Sequence, residues 1–384
     1  MSTPKIRSTR SPHGKDLSLR VSQVPLLLPL SASPSDPRLE VIGVFNPTFL
    51  RIRANRHLVV RVDERPIFNH LQEGNGIQDL RNLQVARARI NQIGKIDIVD
   101  VKVPSSYDPN FEPFLPDSVR GNSTELVLSY LSHLRLATLN DSRIEISERP
   151  LIFPDSDLNR FGCEDPRATV LEGRNFITYT GISRYGATSW LAEVGDDTLL
   201  LQNRILLGPD HKHSVLLPKK IDRAYCMFCR PLTRLHVRHN GIWLLYSPNL
   251  IHWGQPKPVL FPREGSWDSD RVGPCMSPIL TPSGWLLFYY GVDAQASYHV
   301  GAVLLQESDP MQIIGRSSQP ILSPSLDWER TGRRADTVFP CGVELYEHDR
   351  SARLYYGAGD AAIGAADIAI PALLESLQER TGIA

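Results

Sequence analysis

The sequence predicts an all-β protein built as a five-bladed β-propeller, with an extra N-terminal segment and a short helical insertion. Three observations point there. A unit consisting of a small or polar residue and proline, a few extended residues, a turn and an aromatic-rich strand occurs five times. Little helical pattern separates the copies. The 384 residues also leave ~77 per copy, room for the four strands of a blade and its loops.

Taken in order, the region before Leu39 is rich in Ser, Pro and basic residues and reads as a flexible extension, residues 1–38, or one that lies across a neighbouring subunit. A single propeller domain then covers 39–384. Its copies open at Asn46-Pro47, Asp165-Pro166, Arg230-Pro231, Ser277-Pro278 and Phe339-Pro340. Turns such as Glu172-Gly173, Asn240-Gly241 and Ser283-Gly284 join two runs of β-forming residues, as a hairpin requires. The gap from Pro47 to Pro166 is the widest, and Asp79 to Ile93 has the spacing of a helix, so an insertion is expected there.

Composition narrows the function. Apolar residues are 41% and charged residues 22%, which suits a folded chain with a substantial core. Lys plus Arg and Asp plus Glu are 42 each, so no net positive field exists to hold a nucleic acid. The apolar run Val24 to Leu30 is broken by Pro25 and Pro29 and falls far short of the ~20 residues of a membrane span; no secretory signal is evident. Five cysteines make no disulfide framework, and a reducing cytoplasm is the simplest expectation. Cys226 and Cys229 form a lone C-x-x-C with His211 and His213 upstream, but "AYCMFCRP" reads as an apolar strand, so no metal is expected.

In a propeller the inner strands point their ends at a central channel, so residues opening each copy converge although far apart in sequence. Those openings are Asn46, Asp165, Arg230, Ser277 and the segment around Asp336. Acids, an arginine and an amide suit the gripping of sugar hydroxyls and the polarising of a glycosidic oxygen.

At this point the chain resembles glycoside hydrolase family 130, the inverting β-mannoside phosphorylases and β-mannosidases with a five-bladed propeller. The likeness runs from about Gly43 to Asp360. It is carried by "FNPTF" with Arg61 following, "SHLRLAT", "CEDPRATV", the "LLPKKI…CRP" segment, "WDSDRVG", "GWLLFYYG" and "VFPCGVEL…LYYGAGD". The resemblance implies β-mannoside oligosaccharides as substrates, no cofactor beyond inorganic phosphate as a co-substrate in phosphorylases, and Asp165 as the general acid. Glu164 beside it would raise its pKa by like-charge repulsion if both faced the pocket; the structural alternative is that Asp165 only caps a turn. Asn46, Arg61, Arg167 and Asp360 are implied for the sugar site, with Tyr185, Trp267 and Tyr290 as stacking or rim contacts; Glu164 beside Asp165 and Asp336 at a copy opening are further candidate sugar ligands. Linkage and oligomeric state stay open, a homo-oligomer included.

Phosphorolysis asks the pocket for cations; hydrolysis asks for a second carboxylate to deprotonate water. Phosphorylases that the chain resembles carry an arginine where it has Thr188 or Ser189, and histidines where it has Cys229 and Tyr290. Arg184, Lys212 and Arg230 remain as candidate phosphate ligands. For hydrolysis, Asp268 beside Trp267 is the candidate base. The balance leans to hydrolysis, with phosphorolysis as the alternative and a non-catalytic mannoside-binding propeller as a third reading.

Overall fold

The computed structural model describes residues 9–10, 16–67, 84–90, 95–102, 130–140, 143–232, 240–346 and 350–378. Within them the protein is all-β, with two short α-helices, Asp327–Arg330 and Ile370–Gln378. The strands arise where β-branched and aromatic residues cluster; Gly284–Val292 (GWLLFYYGV) is buried along its whole length, as a strand packed on both faces must be.

The strands fall into successive antiparallel groups. Leu39–Ile52, Asn55–Pro66, Leu131–Leu139 and Ile144–Ile146 form the first. Gly162–Leu171, Arg174–Ser183, Gly186–Val194 and Leu200–Leu207 form the second, linked to the first by one parallel pair, Ser132 with Gly162. His211–Leu216, Tyr225–Pro231, Ile242–Ser247 and Gly254–Leu260 follow as the third. In the fourth, Arg271–Pro274 and Ile279–Thr281 both pair with Gly284–Val292, and Tyr298–Leu305 and Ile313–Arg316 complete it. The fifth contains Val338–Tyr346, Ser351–Ala358 and Ala362–Ala369.

The apolar cores lie between these groups. Leu50, Val59, Ile177 and Trp190 join the first to the second. Phe176, Leu191, Leu216 and Met227 join the second to the third. Phe228, Leu244, Leu287 and Val303 connect the third with the fourth, and Leu286, Val300, Leu354 and Ile368 the fourth with the fifth. Val44, Val60, Tyr355 and Ile363 then pack the fifth group against the first. Every group therefore buries apolar surface on two neighbours.

Two expectations need correction. The N-terminal region does not lie free up to residue 38: Asp16–Arg20 is a strand paired with Ala362–Ala369 in the fifth group. Its anchor is Arg20, whose Nε and Nη2 donate to the two oxygens of Glu329 at 2.7 Å each, in a site where Glu329 is fully buried. Nor is the insertion helical where it is described, since Gln84–Ile90 pairs with Ile96–Lys102 as a hairpin. Ala86, Ala88 and Ile90 recur at every second position, and that period prevailed over the helical spacing once a partner strand followed. The remainder of Asp79 to Ile93 lies outside the described residues.

All five cysteines are buried and free, with thiols pushed up by burial where they shift. No helix among the described residues is long and apolar enough to cross a membrane.

Candidate active site

One backbone device repeats at the centre of the molecule. Phe45 pairs with Arg61 and Thr48 with Val59, so Asn46 and Pro47 together face one partner residue. Glu164 pairs with Thr180 and Arg167 with Thr178, which leaves Asp165 and Pro166 in the same position. Lys212 pairs with Arg230 and Val215 with Phe228, leaving His213 and Ser214. Each is a β-bulge, and a bulge re-aims the side chain of its extra residue. Asn46, Asp165 and His213 have φ of 46°, 53° and 56°, in the left-handed region where non-glycine residues are strained, and Asp360 shares it at 50°. All four line one pocket of 440 Å³.

Asp165 is the hub of that pocket. Its Oδ1 accepts from Asn46 Nδ2 at 2.7 Å and from Arg61 Nη1 at 3.2 Å, and its Oδ2 lies 3.2 Å from His213 Nε2. Burial pushes the carboxyl up, but the His213 hydrogen bond and the charges of Arg61 and Arg167 outweigh it and hold Asp165 well below the usual carboxylate range. The expected upward shift from Glu164 is therefore not what this geometry produces. Glu164 does face the pocket, yet its oxygens accept from Arg61 Nη2 and Lys212 Nζ, at 3.1 Å each. Arg61 bridges the two acids and Lys212 pairs with Glu164, so their repulsion is offset.

Arg61 is held from behind by Asp63, two residues along the same strand and hence on the same face. Fully buried Asp63 accepts from Arg61 Nε (2.8 Å) and Nη2 (3.2 Å), Ser132 Oγ (2.7 Å) and Arg333 Nη2 (2.6 Å). Asp360 differs from Asp165: burial raises its pKa against the opposing charges of Arg333, Arg61 and Arg334. One pocket thus contains a carboxylate held ionised and a carboxyl inclined to keep a proton.

Cations and aromatic rings dominate the rest of the lining, beside Ile182, Leu232, Asn240 and Thr337. Lys212, Arg230, Arg271 and Arg334 all contribute, beside Tyr130, Tyr298 and Phe339. Arg271 Nη2 donates to Tyr298 Oη at 2.9 Å, and Arg334 lies 5.2 Å from the Tyr298 ring centre. Arg230 Nε is buried and has no hydrogen-bond partner.

Of the residues expected at the site, Asn46, Arg61, Glu164, Asp165, Lys212, Arg230 and Asp360 meet at the pocket. Others do not reach it. Arg167 lies buried beneath, donating from Nη1 to the Asp165 carbonyl at 2.6 Å. Tyr290, 1% exposed, sits under His213 with its hydroxyl 2.8 Å from Nδ1. Trp267 stacks on Tyr289 at 5.5 Å and donates to the Ser318 carbonyl. Tyr185 and Arg184 are exposed partners of each other, and Asp336 is exposed with its carbonyl accepting from Tyr298 N–H. Asp268 lies outside the pocket and is fully buried; its carboxylate accepts from Arg263 (3.1 and 2.8 Å), Arg316 (2.6 Å) and Tyr289 (2.9 Å). A base that activates water must face the water, and this carboxylate faces an enclosed ion-pair cluster.

His213, Tyr130, Arg271, Tyr298 and Arg334 went unforeseen as pocket residues, whereas Thr337 and Phe339 belong to the expected opening of the fifth copy. For His213 a signal existed: "HSVLLPKKIDRAYCMF" repeats the strand–turn–strand order of the other copies, but serine stands where they have proline. The third copy therefore opens at His213, one strand earlier than Arg230-Pro231.

Among the described residues, no group of three or more His, Cys, Asp or Glu could hold a metal ion. The chemistry on offer is that of a carboxyl proton donor beside a cationic anion site, in a pocket sized for a sugar.

Known proteins are similar to this chain in sequence and fold. The model of glycoside hydrolase family 130, described as beta-1,4-mannooligosaccharide phosphorylase, matches residues 127–379. The Beta-1,2-mannobiose phosphorylase of Listeria innocua is 28% identical over 363 residues, covering 94% of this chain and 98% of the relative. The 1,2-beta-oligomannan phosphorylase of a Thermoanaerobacter strain is 34% identical over 241 residues, 62% of this chain and 78% of the relative. The solved structure of the Listeria innocua Beta-1,2-Mannobiose phosphorylase in complex with beta-1,2-mannobiose superposes with a TM-score of 0.81, at 26% identity, over 94% of this chain and 99% of that one. These relatives give no support to the lean toward hydrolysis. This chain belongs to glycoside hydrolase family 130 and is an enzyme that acts on glycosides.

Proposed function

We propose that this protein is an inverting β-mannoside phosphorylase that splits β-1,2-linked manno-oligosaccharides with inorganic phosphate, and that its five strand groups are the blades of a propeller around the pocket. The cyclic order of the apolar cores supports the propeller, because the fifth group packs on the first as each other group packs on its neighbour. The linkage is taken from the Listeria innocua relative, which matches 94% of this chain.

The observation that carries phosphorolysis is the set Arg230, Arg271 and Arg334 on the same pocket as Asp165, together with the enclosure of Asp268 away from it. The arginine and histidines missing at Thr188, Cys229 and Tyr290 are offset by Arg271, on the strand Arg271–Pro274, and by Arg334, in the segment before Val338–Tyr346. Guanidinium forks are suited to a phosphate dianion.

In the reaction, a phosphate oxygen bonds to C1 of the mannosyl residue as the bond from C1 to the glycosidic oxygen breaks. Asp165 gives its proton to the departing oxygen and is left as the carboxylate that Asn46, Arg61 and His213 stabilise. The negative charge of bound phosphate offsets the cations that hold Asp165 ionised and raises its pKa, so monoanionic phosphate, whose second ionisation lies at ~6 in a phosphate group, supplies Asp165 with the proton that passes to the departing oxygen. The products are α-mannose 1-phosphate and the shortened saccharide. No further cofactor is needed.

The test is incubation with β-1,2-mannobiose with and without inorganic phosphate. Consumption only with phosphate supports the reading. Equal release of free mannose in both sinks it.

A further inference from the structure

We infer that Tyr290 and His213 form a buried relay that positions Asp165 and decides which of its oxygens carries the transferred proton. The inference rests on Asp165 being the general acid proposed above. Asn46 Nδ2 and Arg61 Nη1, 2.7 and 3.2 Å from Oδ1, are groups that only donate, so a proton on Oδ1 would meet two others. Oδ2 faces His213 Nε2 at 3.2 Å, and the other ring nitrogen, Nδ1, faces the Tyr290 hydroxyl at 2.8 Å.

An ionised Asp165 can only accept, so His213 donates to it from Nε2. A neutral ring then has a lone pair on Nδ1 and accepts from Tyr290 O–H. Both ends of the imidazole are thereby fixed, and with them the tautomer. A proton taken up by Asp165 settles on Oδ2 and leaves from Oδ2 to the glycosidic oxygen, while Nε2–H donates to that oxygen throughout.

The surroundings suit a neutral ring. Asp165 and Arg167 face it from Gly162–Leu171, Arg230 from Tyr225–Pro231, Tyr290 from Gly284–Val292 and the Phe339 ring from Val338–Tyr346, with Lys212 adjacent in the chain. Burial, then Arg167, favours the uncharged imidazole over the pull of Asp165. Two backbone features set the relay in place. His213 is held at φ 56° by its bulge. Gly273 lies opposite Tyr290, where a Cβ would come within 2.3 Å of the hydroxyl. Tyr290 thus reaches His213 past Gly273, a cross-strand neighbour with no side chain to displace the hydroxyl.

Tyr290→Phe keeps the ring and deletes the hydroxyl. On β-1,2-mannobiose, kcat should fall about tenfold or more, a fraction of the ~10²–10⁴ that a general acid supplies. KM for phosphate should stay within twofold. The basic limb of the pH–rate profile should move to higher pH, because Asp165 loses part of the donor that keeps it ionised. With 4-nitrophenyl β-mannoside, whose leaving group needs no proton, the rate should stay near that of the unsubstituted enzyme. A variant that changes only KM, or leaves the basic limb in place, overturns the relay. A measurement that needs no folded His213 variant is nitrogen NMR of the histidine-labelled protein at pH 7: a neutral ring protonated at Nε2 supports the relay, and a charged or Nδ1-protonated ring overturns it. Asp165→Asn, assayed in parallel, separates the two layers. Full activity of that variant on mannobiose refutes the acid assignment itself, whatever Tyr290→Phe does.

Discussion

Arg230 is a pocket cation that makes no ion pair among the described residues. Arg61 is committed to three carboxylates, those of Asp63, Glu164 and Asp165, whereas Arg230 Nε is buried without a hydrogen-bond partner. Replacing Arg230 by Ala therefore separates anion binding from stability. A hydrogen bond to a charged partner contributes about 1.5–3 kcal/mol, and each 1.4 kcal/mol is tenfold, so KM for phosphate should rise about ten- to hundredfold. Affinity for the mannoside should change little. No known partner is left without its counter-ion, so the melting temperature should stay level or increase. Initial rates across a phosphate series, at saturating mannobiose, give the first quantity and calorimetry the second. A phosphate KM within twofold of the original, or a loss of several degrees in melting temperature, would refute this reasoning and assign Arg230 to the fold.

Other perturbations follow from the same geometry. Asp268→Ala leaves Arg263 and Arg316 facing an empty site and should destabilise the protein by about 3–5 kcal/mol, read by chemical denaturation, while kcat of the surviving folded fraction holds; a large kcat loss would restore Asp268 as a base. Arg20→Ala strands the buried Glu329 carboxylate and should cost a similar amount, freeing the Asp16–Arg20 strand to hydrogen exchange. For pH, the depressed carboxyls of Asp63, Asp165, Glu64 and Glu344 contribute stability above their unfolded pKa of ~4, and this is lost as pH falls through their lower folded values. Asp360 runs the other way: its raised pKa favours the fold at low pH and loses that advantage as pH rises through the folded value. Asp360→Asn should accordingly raise the melting temperature at neutral pH while lowering activity, and a lower melting temperature there would contradict the burial account.

Much of this was legible in the residues. Asn46-Pro47 and Asp165-Pro166 marked the openings of two copies, and both openings meet at the pocket; the bulges were not legible, because a residue before proline favours extended φ while Asn46 and Asp165 have positive φ. The same device at His213 carries serine instead, so proline marks the third copy one strand late, at Arg230-Pro231, and leaves the histidine unmarked. Arg271, Tyr298 and Arg334 were hidden for another reason. They reach the pocket through pairing across strands and loops, and no spacing in the chain encodes which loop side chain turns inward. Asp268 misled because an acid beside tryptophan looks the same in a solvent loop and in a closed ion-pair cluster; only the positions of Arg263 and Arg316 distinguish them. The net charge behind Asp165 was misjudged likewise, since Glu164 is adjacent in sequence while Arg61, Lys212 and His213 are adjacent in space.

The central claim is that phosphate, not water, attacks the anomeric carbon opposite Asp165. Following β-1,2-mannobiose and inorganic phosphate by proton and phosphorus NMR in real time tests it most directly. The account predicts α-mannose 1-phosphate as the first mannosyl product, formed in step with phosphate loss. Free mannose as that first product, with the phosphate signal unchanged, would contradict it.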